Sequence, residues 1–122
     1  MLTFEEFKNK DCPFCKGFKD GSIKLLETID NVNIFIPLNP VTKGHLLVVP
    51  IDHVTDFKDN PIITGNVARV AGEYAKKQPY ECNLITSCGE NATQSVFHLH
   101  FHIVPRYKND GLTLPWTGQI KE

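Results

Sequence analysis

Apolar positions along the chain fall into short runs parted by turn residues, with one longer stretch at helical spacing. The runs "IKLLETI" (23–29) and "VNIFIPL" (32–38) flank Asp30-Asn31, which predicts a hairpin. "NPVTKG" (39–44) reads as a loop. "HLLVVPI" (45–51) shows little polar alternation, so a central strand buried on both faces is expected, ended by Pro50. Over 62–77, Ile63, Val67, Val70, Ala71 and Tyr74 recur three and four apart, the stripe of an amphipathic helix that Gln78-Pro79 closes. "ECNLITS" (81–87) predicts a fourth strand and "QSVFHLHFHIVPR" (94–106) a fifth, stopped by Pro105. Near the start, Thr3-Phe4-Glu5-Glu6 matches a capping box, so a short helix is expected there, ending before Asp11-Cys12-Pro13. A Cys-Pro-x-Cys knuckle and the turn-rich "GFKDGS" follow, and 107–122 reads as an irregular tail. The class is α+β: a five-stranded, mostly antiparallel sheet with one long helix and a short N-terminal helix, in one domain over 1–122.

Composition narrows the function classes. A net charge of −1 leaves no basic footprint for duplex nucleic acid. No run approaches the roughly 18 apolar residues of a membrane span, and "MLTFEEFKNK" lacks the pattern of a signal peptide. A cytoplasmic protein without a membrane partner is expected. Four cysteines in such a chain are not a disulfide framework, and Cys82 and Cys88 are expected as small buried hydrophobes.

The chemistry concentrates in the fifth run. Three of the five histidines, His98, His100 and His102, occupy alternate positions. In a strand they share one face, with Phe97, Leu99, Phe101 and Ile103 on the core side. Alternate residues lie roughly 7 Å apart. That is loose for three rings on one ion but suits rings lining a groove along an extended ligand. A neutral imidazole is a good nucleophile toward phosphorus near pH 7, and a second can hold a phosphate oxygen. A phosphate-handling site is the reading.

Cys12-x-x-Cys15 alone is a weak signal, open to metal binding or redox chemistry. The βαβ context of a thioredoxin-like redox motif is missing. Cys12, Cys15, His53 and one triad histidine would complete a Cys₂His₂ zinc site.

These residues resemble a known family. "HLHFHIV" fits the histidine-triad (HIT) motif, in which histidines alternate with apolar residues. "GENATQSV" resembles that family's Gly-x-x-Ala-Gly-Gln-Ser-Val lead-in, and "NPVTKGHLLVVPIDHV" its upstream block. "CPFC" with His53 resembles the zinc-containing bacterial branch. The matching blocks span residues 12 to 106. The resemblance implies a homodimer with a continuous ten-stranded sheet. It implies a nucleotide hydrolase or transferase acting at the α-phosphate of dinucleoside polyphosphates or nucleoside phosphoramidates. His100 would be the nucleophile, forming a nucleotidyl-histidine. His102 would hydrogen-bond phosphate or leaving-group oxygens, and Ser95 would contact the phosphate or leaving atom. Gln94 would shape the pocket and His45 would support the active-site histidines. His98 would join Cys12, Cys15 and His53 on a structural zinc.

Three departures bear on substrate. Ser87 stands where many members carry Asn, Thr93 where Gly is usual, and Pro37 where an Asp holds ribose hydroxyls, with Asn39 nearby. They keep open a nucleotide-binding or signalling module with little turnover, and a zinc-stabilised interaction protein with a vestigial site. Trp116 in the tail either stacks on a base or packs on the subunit surface.

Overall fold

The computed structural model describes residues 11–116, so the helix expected from Thr3 lies outside the described residues. Helix α1 (Pro13–Asp20) is followed by β1 (Leu25–Ile29), β2 (Val32–Phe35), β3 (Leu46–Pro50), helix α2 (Pro61–Lys76), β4 (Cys82–Ile85) and β5 (Phe101–Pro105). The strands form one sheet in the order β1-β2-β3-β5-β4, and every neighbouring pair is antiparallel.

The central strand is where the apolar run placed it: all five residues of β3 are buried. The hairpin also forms as expected. Asp30 and Asn31 adopt φ of 49° and 65°, the left-handed pair that a tight turn between twisted strands requires. Period-two alternation then sorts side chains between two layers. Ile34, Val48, Leu99, Phe101 and Ile103 pack with Val67, Val70 and Ala71 of α2. Phe35, Leu47 and Val49 face the other way, onto Cys12 and Phe14 of the knuckle.

Four expectations need correction. "GFKDGS" is helix rather than turn up to Asp20. Cys12 caps α1, its Sγ accepting from the Cys15 N–H at 3.4 Å; Pro13 sits in the first turn, and Gly21 at φ 76° ends the helix. The fifth strand is shorter than 94–106, because its ladder with β3 fails where a proline enters. Leu46 faces Ile103 and Val48 faces Phe101, so the next paired position brings Pro50, which has no N–H, opposite Leu99. The Leu99 N–H bonds Val54 O instead, at 2.8 Å. Phe97, outside the ladder, is 49% exposed rather than in the core. Cys82 lies exposed on edge strand β4 and Cys88 half-buried in a loop, so neither is a core residue.

The described part of the tail is irregular but anchored. Arg106 reaches Asp110 (2.9 and 3.2 Å), Asn83 Oδ1 on β4 (2.8 Å) and Leu112 O (3.1 Å). These contacts hold Asp110 well below the usual carboxylate range, the Arg106 hydrogen bonds contributing most.

Candidate functional site

The knuckle, the residues just past β3 and the start of the histidine run converge on one cluster. Ligand atoms of Cys12, Cys15, His53 and His98 all lie within 4.8 Å of one another. His98 Nδ1 is 3.3 Å from Cys12 Sγ, 3.5 Å from Cys15 Sγ and 3.2 Å from His53 Nδ1, and His53 Nδ1 is 3.3 Å from Cys15 Sγ. Four ligands at 2.0–2.3 Å around a tetrahedral ion stand about 3.3–3.8 Å apart, so these spacings fit zinc. The tautomer fits too. His98 Nε2–H donates to Pro50 O at 2.8 Å, which leaves the Nδ1 lone pair for a metal. Burial, then the Cys12 thiol, pushes the metal-free Cys15 thiol up to about 12. Burial brings His98 down to about 4. A neutral imidazole beside two thiols at the helix cap is a donor set that a soft divalent cation satisfies.

Beyond His98, backbone groups order the His100 and His45 rings. His100 Nδ1–H donates to His98 O at 2.7 Å, so Nε2 carries the lone pair. The Val41 N–H donates to His45 Nδ1 at 3.1 Å, so the His45 proton sits on Nε2 and points at His102 Nδ1, 2.9 Å away. His102 therefore carries its proton on Nε2. One ring offers a lone pair and its neighbour a donor, with ring centroids 5.2 Å apart.

Those two rings open into a cavity of about 220 Å³, lined also by Val41, His45, Ile85, Ser87, Thr93, Gln94 and Val104. His45, Ser87, Gln94, His100 and His102 are thus brought together around one cavity. Asn39 and Ser95 are exposed and do not line this cavity. Gln94 shapes the wall indirectly, its amide being spent on the backbone. Nε2 donates to Thr55 O (2.7 Å) and Val96 O (3.1 Å), and Oε1 accepts from the Gly89 N–H (2.8 Å).

The sequence reading missed the backbone acceptors Pro50 O and His98 O, the Val41 N–H, and Phe14. Main-chain groups carry no residue signature. Phe14, though, stood in view between the two cysteines.

Thr93 takes φ 70°, a left-handed conformation that a β-branched residue adopts only under strain. Thr93→Gly is expected to raise stability by about 1 kcal/mol, the relieved strain exceeding the entropy cost of glycine. A calorimetric midpoint unchanged or lowered in that variant would show the strain to be absent.

Burial depresses the proton affinity of His45, His100 and His102, and for His102, with His100 and His45 beside it, the value falls to about 4. Between pH 6.5 and 4 the unfolded chain binds a proton at His102 that the folded chain refuses. Stability is therefore expected to drop as pH falls through that window and to stop responding to His102 below it. Urea unfolding from pH 7 to 4 measures this slope, which His102→Asn should make shallower.

The chain matches the HIT domain over residues 22–109. It is 37% identical over 119 residues to an uncharacterized HIT-like protein of Methanocaldococcus jannaschii, covering 90% of this chain and 89% of that one. It is 33% identical over 114 residues to an adenosine 5'-monophosphoramidase of Saccharomyces cerevisiae, covering 88% and 71%. A crystal structure of a Zn-bound histidine triad family protein from Mycobacterium smegmatis superposes with a TM-score of 0.71 at 29% identity, covering 86% of this chain and 81% of that one.

Proposed function

The chain belongs to the HIT domain family, and from that premise we propose that it cleaves nucleotide conjugates at the α-phosphate through a nucleotidyl-histidine on His100. The observation that carries this reading is the His100 Nδ1–H bond to His98 O, which commits Nε2 as an unprotonated nucleophile. In the first step the Nε2 lone pair forms a bond to phosphorus. The bond from phosphorus to the leaving group breaks, and its electron pair departs with that group. The positive charge gained by the imidazole is eased by the His98 carbonyl on Nδ1–H. His102 Nε2–H, held in that tautomer by His45, donates to a phosphate or leaving-group oxygen or nitrogen. Water then adds to phosphorus, giving a proton to the His102 Nε2 whose own proton left with the leaving group; the P–N pair returns to His100 Nε2, and a nucleoside monophosphate leaves. Burial keeps all three imidazoles neutral at pH 7, so the nucleophile is available without a further base.

Cys12, Cys15, His53 and His98 would hold a structural zinc, which supplies rigidity because four protein ligands leave no position for substrate. Zinc held by reduced thiolates suits a reducing compartment, which supports a cytoplasmic setting.

The groove favours one of the two substrate types. Among the described residues no Lys or Arg lines it, so a chain of several phosphates would meet little neutralising charge there. A phosphoramidate, with one phosphate and an amine leaving group, fits better. The yeast relative's activity points the same way. Ser95 and Asn39, both exposed, stay available to the phosphate and to the ribose respectively, the latter in place of the acid that Pro37 cannot supply.

The whole chain acts as one unit and pairs as a homodimer, two sheets continuing into ten strands. Edge strand β4, with Leu84 46% exposed, supports this. Sedimentation equilibrium is expected to give twice the chain mass, and Leu84→Arg to return it to monomer.

Incubation with adenosine phosphoramidate and diadenosine tetraphosphate tests the reading. AMP released faster from the first is expected. No AMP from either, with AMP still bound, favours a binding module with little turnover, the alternative that Ser87 and Pro37 support.

A further inference from the structure

Phe14 occupies the turn between the two knuckle cysteines and is only 8% exposed. Its ring lies edge-to-face against His100, with centroids 5.3 Å apart and planes at 85°, and against His98, 5.6 Å apart at 77°. Its own ring is braced by Phe35, 5.6 Å away at 74°, and by Phe18, stacked at 6.4 Å. Phe14 carries no ligand atom, yet it reaches past His98 to the neighbouring imidazole.

The hydrogen bond to His98 O fixes one nitrogen of His100, but a single bond leaves the ring a competing state. The terminal torsion of a histidine is broad and roughly two-fold. A half-turn would replace Nδ1 by Cδ2 at the carbonyl and move Nε2 away from its position. One neutral hydrogen bond disfavours that state only several-fold. The hydrogen bond chooses between the two states, and a wall set perpendicular to the ring opposes exchange between them, since the edge-to-face contact is lost at the quarter-turn through which the ring must pass. Cys12 and Cys15 stand on either side of Phe14, so a metal held by the cluster would also hold this wall in place.

We propose that Phe14 is a positioning residue for His100, locking the ring with Nδ1 on His98 O and Nε2 toward the groove, and that the metal knuckle thereby acts on the nucleophile through an aromatic contact as well as through His98. The proposal rests on His100 being the nucleophile. It concerns the ring's orientation, which can be read without turnover.

The test compares metal-loaded wild type with Phe14→Leu, Phe14→Tyr and Phe35→Leu. Imidazole nitrogen chemical shifts report the tautomer and mobility of His100, and kinetics use adenosine phosphoramidate. In Phe14→Leu the His100 nitrogen signals should average between states, and kcat should fall about fivefold with KM within about twofold, the size of one aromatic contact. Phe14→Tyr, which keeps the ring, should restore both. Phe35→Leu, which only loosens the brace behind Phe14, should lower the melting temperature and change the His100 signals less than Phe14→Leu does. Should Phe14→Leu not fold, Phe14→Met takes its place. Unchanged His100 signals in the Phe14 variant, or an equal change in Phe35→Leu, would overturn the proposal. If wild type releases no AMP, the hydrolase reading fails alone, and the nitrogen signals still decide the role of Phe14.

Discussion

His100→Ala is expected to lower kcat on adenosine phosphoramidate by about 10⁴-fold while the chain still binds AMP. The size follows from what is removed. The variant loses the atom that forms the covalent bond, while His102, held by His45, keeps its donor facing the groove. Ground-state binding therefore changes little, and the loss falls on the chemical step. His100→Asn is the sharper partner, since its amide can still donate to His98 O but offers phosphorus no comparable lone pair. Single-turnover kinetics with an acid quench complete the measurement. Wild type should trap an adenylyl group on His100, and neither variant should. Turnover in either variant within about tenfold of wild type would remove His100 from the role.

The second large effect is on the metal. Chelation, or Cys12→Ser, is expected to lower the melting temperature by at least about 10 °C, roughly 3 kcal/mol for a chain of this size. Without a cation the cluster is a buried collection of thiols and imidazoles whose lone pairs converge. The Cys15 thiol at about 12 stays protonated, and His98 at about 4 stays neutral. Cys12 also caps α1, a place that a serine hydroxyl fills as well, so the loss in Cys12→Ser falls on the metal site. Elemental analysis alongside calorimetry shows whether metal and stability are lost together. Wild-type protein purified with no bound zinc, or a melting point indifferent to chelator, would end the structural-metal reading.

Some of this was legible in the sequence because it depends on local pattern. The buried run of β3, the Asp30-Asn31 turn and the stripe of α2 each need only neighbours along the chain. The shared face of the histidines was legible for the same reason, although strict strand geometry holds only from Phe101 onward. What was hidden depends on pairs distant in sequence. The truncation of β5 follows from Pro50 lying across from Leu99, a register that no single run reveals. Helix α1 is too short for periodicity to announce, although Pro13 and Gly21 stood at its ends. The tautomers are set by Val41, Pro50 and His98 through main-chain atoms, which any residue type would supply. Cys82 and Cys88 were misjudged because burial was inferred from apolar neighbours, whereas β4 is an edge.

The loop before β3 has the look of a segment that tolerates length changes, being turn-rich and largely exposed. Its last five residues do not have that freedom. Thr42 Oγ1 donates to Pro105 O at 2.8 Å, and Tyr107 Oη–H to Lys43 O at 2.7 Å, so the stretch is pinned to the end of β5 and the residues just past it at two points within the Val41–His45 span. One residue added between Val41 and His45 would carry the amide away from Nδ1. His45 could then place its proton there and turn a lone pair toward His102, reversing the polarity of the His45–His102 pair. Added residues ahead of Pro40 would leave that count untouched. The direction in which this site handles protons is thus encoded as a spacing of four residues, and loop length here is a catalytic variable.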